Sequence, residues 1–200
     1  MQSGASHEKI PLDFFALVFL ISIPFWLFGG SRLPLPVTLP VSALMVFNPL
    51  IAASILSYRR NGLSGVKELV KKAIDYKKIK KIWYLPTLLL IPLIYALAYI
   101  VMRFAGLPLP AVPEIPLLAA PVFFILYFIT ATGEELGWMG YAIQPMQNRW
   151  GALKASIILG LVWSIWHAIP DVQAQHSADW ILWHRIYSVA LRILIVWIFN

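Results

Sequence analysis

The sequence has no cysteine and few charged residues. Of its 200 residues only 12% are charged, whereas 60% are hydrophobic. The lack of cysteine excludes disulfide bonds, thiol nucleophiles and cysteine-ligated metals, so any chemistry depends on carboxylates, imidazoles and hydroxyls. A mean hydropathy of +0.76 lies outside the range of soluble domains and is typical of proteins with several membrane spans. We therefore expect one integral membrane domain over residues 1–200.

The few charges are unevenly placed. Residues 59–81 contain nine basic and two acidic residues, so this segment alone carries the net charge of +7. It lies between two apolar runs and lacks an aromatic series that would stack on bases, so we predict no nucleic-acid partner. The positive-inside rule instead places residues 59–81 in the cytoplasm, against anionic lipid headgroups. Apolar positions within it recur at helical spacing: Val66, Leu69, Val70, Ala73 and Ile74. This pattern predicts an amphipathic helix on the membrane surface, with a solvated loop as the alternative.

Apolar runs predict an all-α, polytopic transmembrane bundle with about six spans. These runs cover residues 14–28, 37–56, 83–102, 115–144, 151–167 and 180–200. The first lacks a small-x-small cleavage site, so we interpret it as a retained anchor. Asn48-Pro49 predicts a kink within the second span, and Pro170 is expected to stop the fifth.

Two adjacent acids, Glu134 and Glu135, follow the apolar run of residues 115–131. An acid in such a setting is costly to bury, so it needs water or a specific partner. Successive helical residues point about 100° apart, so the two carboxylates face different neighbours. A functional site is one interpretation. The alternative is that the helix ends there and both acids lie among the headgroups.

His167 ends the next apolar run. If the chain runs as a helix from Glu134 to Pro145, turns near residues 149–151 and returns, the two arms have similar lengths. His167 then returns to about the depth of the glutamates. A histidine at a helix end can also act as a simple hydrogen-bonding residue, and that interpretation stays open here.

These residues resemble a known family, the CAAX-processing and bacteriocin-processing intramembrane proteases, also called the CPBP, type II CAAX prenyl protease or Abi family. The stretch GEELGWMGYAIQP, residues 133–145, resembles the first family motif, Glu-Glu-x-x-x-Arg followed by Gly-Tyr and a proline. WSIWH, residues 163–167, resembles the second motif. The Asn48-Pro49 run, the basic segment and the terminal WIFN are also similar to family segments.

The resemblance implies a hydrolase that cleaves peptide bonds within the membrane. It implies that Glu134 activates a water as general base, that His167 orients this water or donates a proton, and that Glu135 holds the architecture or the substrate. Trp138 and Trp163 would line the substrate. No bound metal is expected, but Glu134, Glu135 and His167 would be the ligands of a divalent ion such as zinc if one is used.

Two departures from the family pattern leave a second function open. Met139 stands where the family has its arginine, with Arg149 as the nearest substitute, and a final helix with His-x-x-x-Asn is missing from the sequence. The chain would then be either a fragment or a pseudoenzyme, such as a membrane immunity or scaffold protein that binds a peptide without cutting it. A proton-coupled transporter is a third option, without the inverted repeat that would support it.

The resemblance also limits substrate and location. The expected substrate is a peptide or prenylated peptide: a prenylated C-terminal peptide, a leader peptide or a bacteriocin precursor would each suit a site within the membrane. The expected location is a bacterial or archaeal plasma membrane.

Overall fold

The structure is a computed structural model that describes residues 9–31, 41–109 and 117–200. All regular secondary structure in these residues is helical, which confirms the all-α prediction. The chain divides into two compact units. One combines residues 1–74 with 130–200 and contains every candidate site residue. The other covers residues 75–129, and the apolar side chains of its long helix are exposed, as expected for a lipid-facing helix.

Within the described ranges, seven α-helices follow one another, and several are joined by other helical turns. They are α1 (Leu12–Phe28), α2 (Asn48–Lys71), α3 (Tyr84–Phe104), α4 (Ala120–Gly137), α5 (Ile143–Trp150), α6 (Ala152–Gln173) and α7 (Ala178–Phe199). A 3₁₀ helix, Val41–Phe47, leads into α2, and a π-helix, Trp138–Ala142, joins α4 to α5.

Four helical stretches in the described residues are long and apolar enough to cross a membrane: Val41–Ile74, Lys81–Phe104, Ala152–Gln173 and Ala178–Phe199. The shorter apolar helix α1 adds a fifth candidate. The predicted fourth span, residues 115–144, is divided: α4 reaches Gly137, and the chain then passes through the π-helix into α5. The sequence also predicts proline-containing links at residues 29–36 and 106–116, of which residues 32–36 and 110–116 lie outside the described residues.

The core of the larger unit is built from bulky apolar side chains of five helices and the π-helix. Its fully buried members include Phe14, Val18, Ala52, Trp138, Ile143, Met146, Leu159 and Trp166. The helices α6 and α7 approach closely because Gly160 has no side chain: a Cβ there would lie 3.1 Å from the Cα of Val189. Small residues permit such close helix pairs in membrane proteins, where association depends on packing.

Two predictions about helix boundaries were wrong. Asn48-Pro49 does not kink a span; it begins α2, where proline is tolerated because the first backbone N–H groups of a helix have no intrahelical acceptor. The bend in α2 lies further on, at Asn61 and Gly62, which have non-helical backbone angles. Pro170 does not stop α6, which continues to Gln173.

The predicted amphipathic helix is present as the last part of α2. Its apolar side is anchored by Leu69, which is buried in the core of the larger unit. Lys72, just after α2, donates a hydrogen bond from Nζ to the carbonyl oxygen of Gly140 in the π-helix. The basic segment therefore packs against the chain that follows the two glutamates.

Candidate active site

Glu134 lies in the last turn of α4, with 9% of its surface exposed. Its Oε1 accepts hydrogen bonds from two indole N–H groups. One comes from Trp138, four residues further on, with Nε1 3.2 Å from the carboxylate oxygen. The other comes from Trp163 on α6. Because α4 continues into the π-helix, this acid is held within the packed unit and not at a free helix end.

Glu135 has a different partner. Its Oε2 accepts a hydrogen bond from Nη1 of Arg192 on α7, at 2.6 Å. The Arg192 side chain is fully buried, and the Glu135 side chain is 30% exposed. A buried guanidinium requires an anionic partner, and here the partner is one of the two adjacent acids. The expectation that the carboxylates face different neighbours is confirmed by these hydrogen bonds.

Trp163 links the two carboxylates. While its indole N–H binds Glu134, the guanidinium carbon of Arg192 lies 4.4 Å from the centre of its ring. This is a cation–π contact, and it fixes Arg192 from a second side. The Trp163 side chain thus contacts Glu134 and also Arg192, the cation that pairs with Glu135.

His167 lies one helical turn after Trp163, and the two rings are 5.0 Å apart in an edge-to-face contact. Its Nδ1 is 3.0 Å from the carbonyl oxygen of Trp163. A carbonyl oxygen only accepts, so Nδ1 is the protonated nitrogen and, in the neutral ring, Nε2 has the lone pair. The imidazole is therefore oriented by its own helix.

A polar cluster inside the core fixes the three helices around this site. Ser22 of α1 accepts hydrogen bonds on Oγ from Trp166 Nε1 at 2.8 Å and from Asn48 Nδ2 at 2.9 Å. Trp166 also contacts the ring of His167, at 4.7 Å between ring centres. All three polar groups are buried and mutually satisfied, so they set one register for α1, α2 and α6.

The predicted site residues come together around Trp163. Arg149, the nearest arginine in sequence to the position of the family arginine, lies beyond Pro145 and is exposed on α5. Arg192 on α7 supplies the cation instead, and it lies 57 residues after Glu135 in the sequence. An arginine in the middle of an apolar helix is itself a signal of function, and this signal would have found Arg192.

The donor groups do not form a metal site in the part of the chain that the structure describes. No group of three histidine, aspartate or glutamate side chains is gathered there for a metal ion. The Oε1 atom of Glu134 already binds two indoles, and Oε2 of Glu135 binds a guanidinium. The proposed ligand set Glu134, Glu135 and His167 therefore does not fit a metal in this arrangement.

Comparison with known proteins shows which family this part of the chain is similar to. Residues 116–200, which contain both glutamates, His167 and Arg192, match the family described as type II CAAX prenyl endopeptidase Rce1-like. These residues are therefore similar to that family. A relative from Methanococcus maripaludis, described as CAAX prenyl protease 2, is 42% identical over 65 residues. No solved structure matches the chain.

The match to that CAAX prenyl protease is partial: it covers 32% of this chain and 23% of the relative. It confirms the resemblance to the CAAX-processing proteases. Together with the apolar helices it also identifies an integral membrane protein.

Proposed function

We propose that this chain is an intramembrane endopeptidase of the CAAX-processing type, with Glu134 as general base. One observation carries the proposal. Glu134 is a buried carboxylate whose hydrogen-bond donors are neutral indoles, whereas its neighbour Glu135 is compensated by the full charge of Arg192. Of the two carboxylates, Glu134 is the better proton acceptor in this proposal, since no guanidinium hydrogen-bonds to it, whereas Arg192 hydrogen-bonds directly to Glu135.

The reaction uses one water and one peptide bond. In the proposal, water donates one hydrogen bond to Glu134 and a second to Nε2 of His167. As its oxygen attacks the carbonyl carbon, Glu134 takes one proton. The tetrahedral intermediate then collapses, the C–N bond breaks, and protonated Glu134 returns this proton to the leaving nitrogen. The second hydrogen of the water stays on the new carboxylic acid and then leaves through Nε2 of His167. One water is consumed, and a carboxylate, an amine and one released proton are formed.

The remaining predicted residues act around this step. Glu135 and Arg192 hold α4 against α7. Trp138 is fully buried, so we assign it the positioning of Glu134 and not a contact with substrate. Trp163 is partly exposed and remains the candidate for substrate contact. Met139 stands in place of the family arginine, but Arg192 supplies a cation to the acid pair instead. This favours the enzyme over the immunity or scaffold alternative.

The membrane orientation is part of the proposal. Residues 59–81 face the cytoplasm and anionic headgroups of a bacterial or archaeal plasma membrane. The Arg60 side chain pairs with Asp13 at 3.2 Å, so the start of α1 lies at the same end of the bundle as the basic segment. The substrate class is a peptide, prenylated or not, that reaches a site between α4 and α6.

The test is cleavage of a quenched fluorescent peptide pool by the protein reconstituted in liposomes. Glu134→Gln and His167→Ala should each lower kcat/KM by about 10²-fold or more, as expected for loss of a general base or its partner. Glu68→Gln, an exposed carboxylate on the basic segment, is the matched control and should cleave normally. A folded wild type that binds the pool without cutting it would contradict the proposal and favour the scaffold function.

A further inference from the structure

The bend in α2 separates its apolar part from the chain that follows, and two glycines permit it. Gly62 has a φ of +59°, a backbone conformation that glycine adopts more easily than other residues. A Cβ at Gly65 would lie only 2.5 Å from the carbonyl oxygen of Ser57, so the helix after the bend packs closely on the turn before it. Residues 63–74 therefore form a segment with its own direction, which we call the surface segment.

The surface segment has two apolar sides. One side packs on the larger unit through Leu69, which is 3% exposed. The other side consists of Leu63, Val70 and Ile74, which are 67%, 47% and 71% exposed. These three residues recur after seven and four positions, about two turns and one turn, so they form one stripe. An exposed apolar stripe on a helix whose other side is packed fits the acyl boundary of a lipid leaflet.

Basic side chains lie beside this stripe. Lys67 and Lys71 are exposed, and the helical geometry places both within about 100° of Leu63 and Val70 around the helix. Residues 59–72 contain five basic residues and one acid, so their net charge is +4. Lys67 and Lys71 are also four positions apart, a spacing at which like charges destabilise a helix. An anionic lipid surface would offset this repulsion and accept the apolar stripe at the same time.

Three contacts join this region to the π-helix that follows the two glutamates. Leu69 lies against Gly140, where a Cβ would be 3.4 Å from the Cδ1 atom of the leucine. Lys72 donates from Nζ to the carbonyl oxygen of Gly140. The guanidinium carbon of Arg60 lies 5.2 Å from the centre of the Tyr141 ring. The surface segment and the residue just before the bend thus hold the π-helix from outside.

The π-helix also carries part of the proposed site. It begins with Trp138, whose indole N–H binds Glu134 with Nε1 at 3.2 Å from the carboxylate oxygen. A π-helix is a rare conformation that is seldom longer than one turn and occurs often at functional sites. We therefore expect its geometry, and with it the position of Trp138, to depend on the contacts that the surface segment supplies.

We propose that an anionic lipid leaflet binds the surface segment and, through the π-helix, activates cleavage at Glu134. The inference rests on the proposed function and deepens it by naming a regulator of the same site. Anionic headgroups offset the repulsion among the basic residues, so they favour the packed position of the segment. In that position the segment holds the π-helix and keeps Trp138 on Glu134. A neutral leaflet accepts the apolar stripe but leaves the charges uncompensated, so it favours this position less.

The first test compares cleavage in vesicles of neutral phosphatidylcholine with cleavage in vesicles that also contain about 30% phosphatidylglycerol. The wild type should have a kcat at least about 3-fold higher in the anionic vesicles, because each basic residue near such a surface contributes about 5-fold to binding. Lys67→Gln/Lys71→Gln should lose most of this increase and keep at least the wild-type kcat in neutral vesicles. Lys67→Arg/Lys71→Arg, the matched control that retains both charges, should keep the increase.

A second measurement does not depend on cleavage. Hydrogen exchange of the backbone amides of residues 138–142 is followed by mass spectrometry in the same two kinds of vesicle. Anionic lipid should slow this exchange several-fold in the wild type and in Lys67→Arg/Lys71→Arg, but not in Lys67→Gln/Lys71→Gln. Glycerol phosphate added to neutral vesicles supplies the same anionic group in free form, and it should change neither kcat nor exchange.

The outcomes separate this inference from the proposed function. Equal kcat values of an active wild type in the two kinds of vesicle, or an increase that Lys67→Gln/Lys71→Gln retains, overturn the inference and leave the protease intact. Activation by free glycerol phosphate also overturns it, because the partner would then be a soluble anion. If the wild type cuts no peptide, but anionic lipid slows exchange only when both charges are present, the proposed protease fails and the lipid-binding surface stands.

Discussion

Replacement of Arg192 by methionine is the most direct test of the acid pair. The change removes the guanidinium and leaves Glu135 ionised without its cation. Breaking a buried ion pair from one side typically costs about 3–5 kcal/mol. Because 30% of the Glu135 side chain is exposed and water compensates part of the loss, we expect the lower end, about 3 kcal/mol.

The measurement is a double-mutant cycle in mixed detergent micelles, where the free energy of unfolding is followed by denaturant titration. Arg192→Met and Glu135→Gln should each destabilise the protein, and the double variant should lose less than the sum of both. We expect a coupling of at least about 1 kcal/mol, as measured for contacting residues elsewhere. Arg192→Lys should fall between Arg192→Met and wild type, since lysine keeps the charge but lacks the planar group that lies over Trp163.

The control is Arg60→Met. Arg60 pairs with Asp13 at 3.2 Å, but both side chains are about half exposed, and such pairs contribute about 0–1 kcal/mol. Strictly additive losses for Arg192 and Glu135, or an Arg192→Met variant as stable as wild type, would refute the assignment of Arg192 as the partner of Glu135.

Two further predictions concern the chemistry at Glu134. Trp163→Phe removes one indole donor and keeps an aromatic ring, so kcat should fall about 10-fold with little change in KM. The control is Trp183→Phe, at an exposed tryptophan, which should leave kcat and KM unchanged. Equal effects of the two variants in the cleavage assay would contradict the role of the Trp163 donor. Prolonged treatment with EDTA or 1,10-phenanthroline should leave cleavage unchanged, because the carboxylates bind indoles and a guanidinium. If the chelator abolishes cleavage and added metal restores it, a metal is used and the prediction is wrong.

The helical class and the site region could be predicted from sequence because both follow from local patterns. Apolar runs of span length require helices, since the bilayer interior offers the backbone no other partners. The rise per residue along two antiparallel arms predicts that His167 returns to about the depth of Glu134. Trp163, one turn before His167, contacts both His167 and Glu134.

Long-range pairing was beyond local patterns. Arg192 is one of two arginines in the last apolar run, and only the packing of α7 against α6 brings it to Glu135. The predictions of helix boundaries were wrong for a similar reason. Pro170 removes one backbone hydrogen bond and its ring crowds the preceding turn, but α6 still continues for three residues to Gln173, so a residue that usually ends a helix lies inside its last turn.

The position of Arg192 changes how the departure at Met139 is interpreted. In this chain position 139 is apolar and buried, and the compensating charge comes from α7 instead. The acid pair is therefore stabilised by a contact between helices, so the geometry of Glu135 depends on how α7 is docked. If α7 shifts along α6, Glu135 loses its cation and Trp163 loses its cation–π partner together. Any catalytic activity of Glu134 should then vary with the packing of α7, a coupling that an arginine within the same helix would not create.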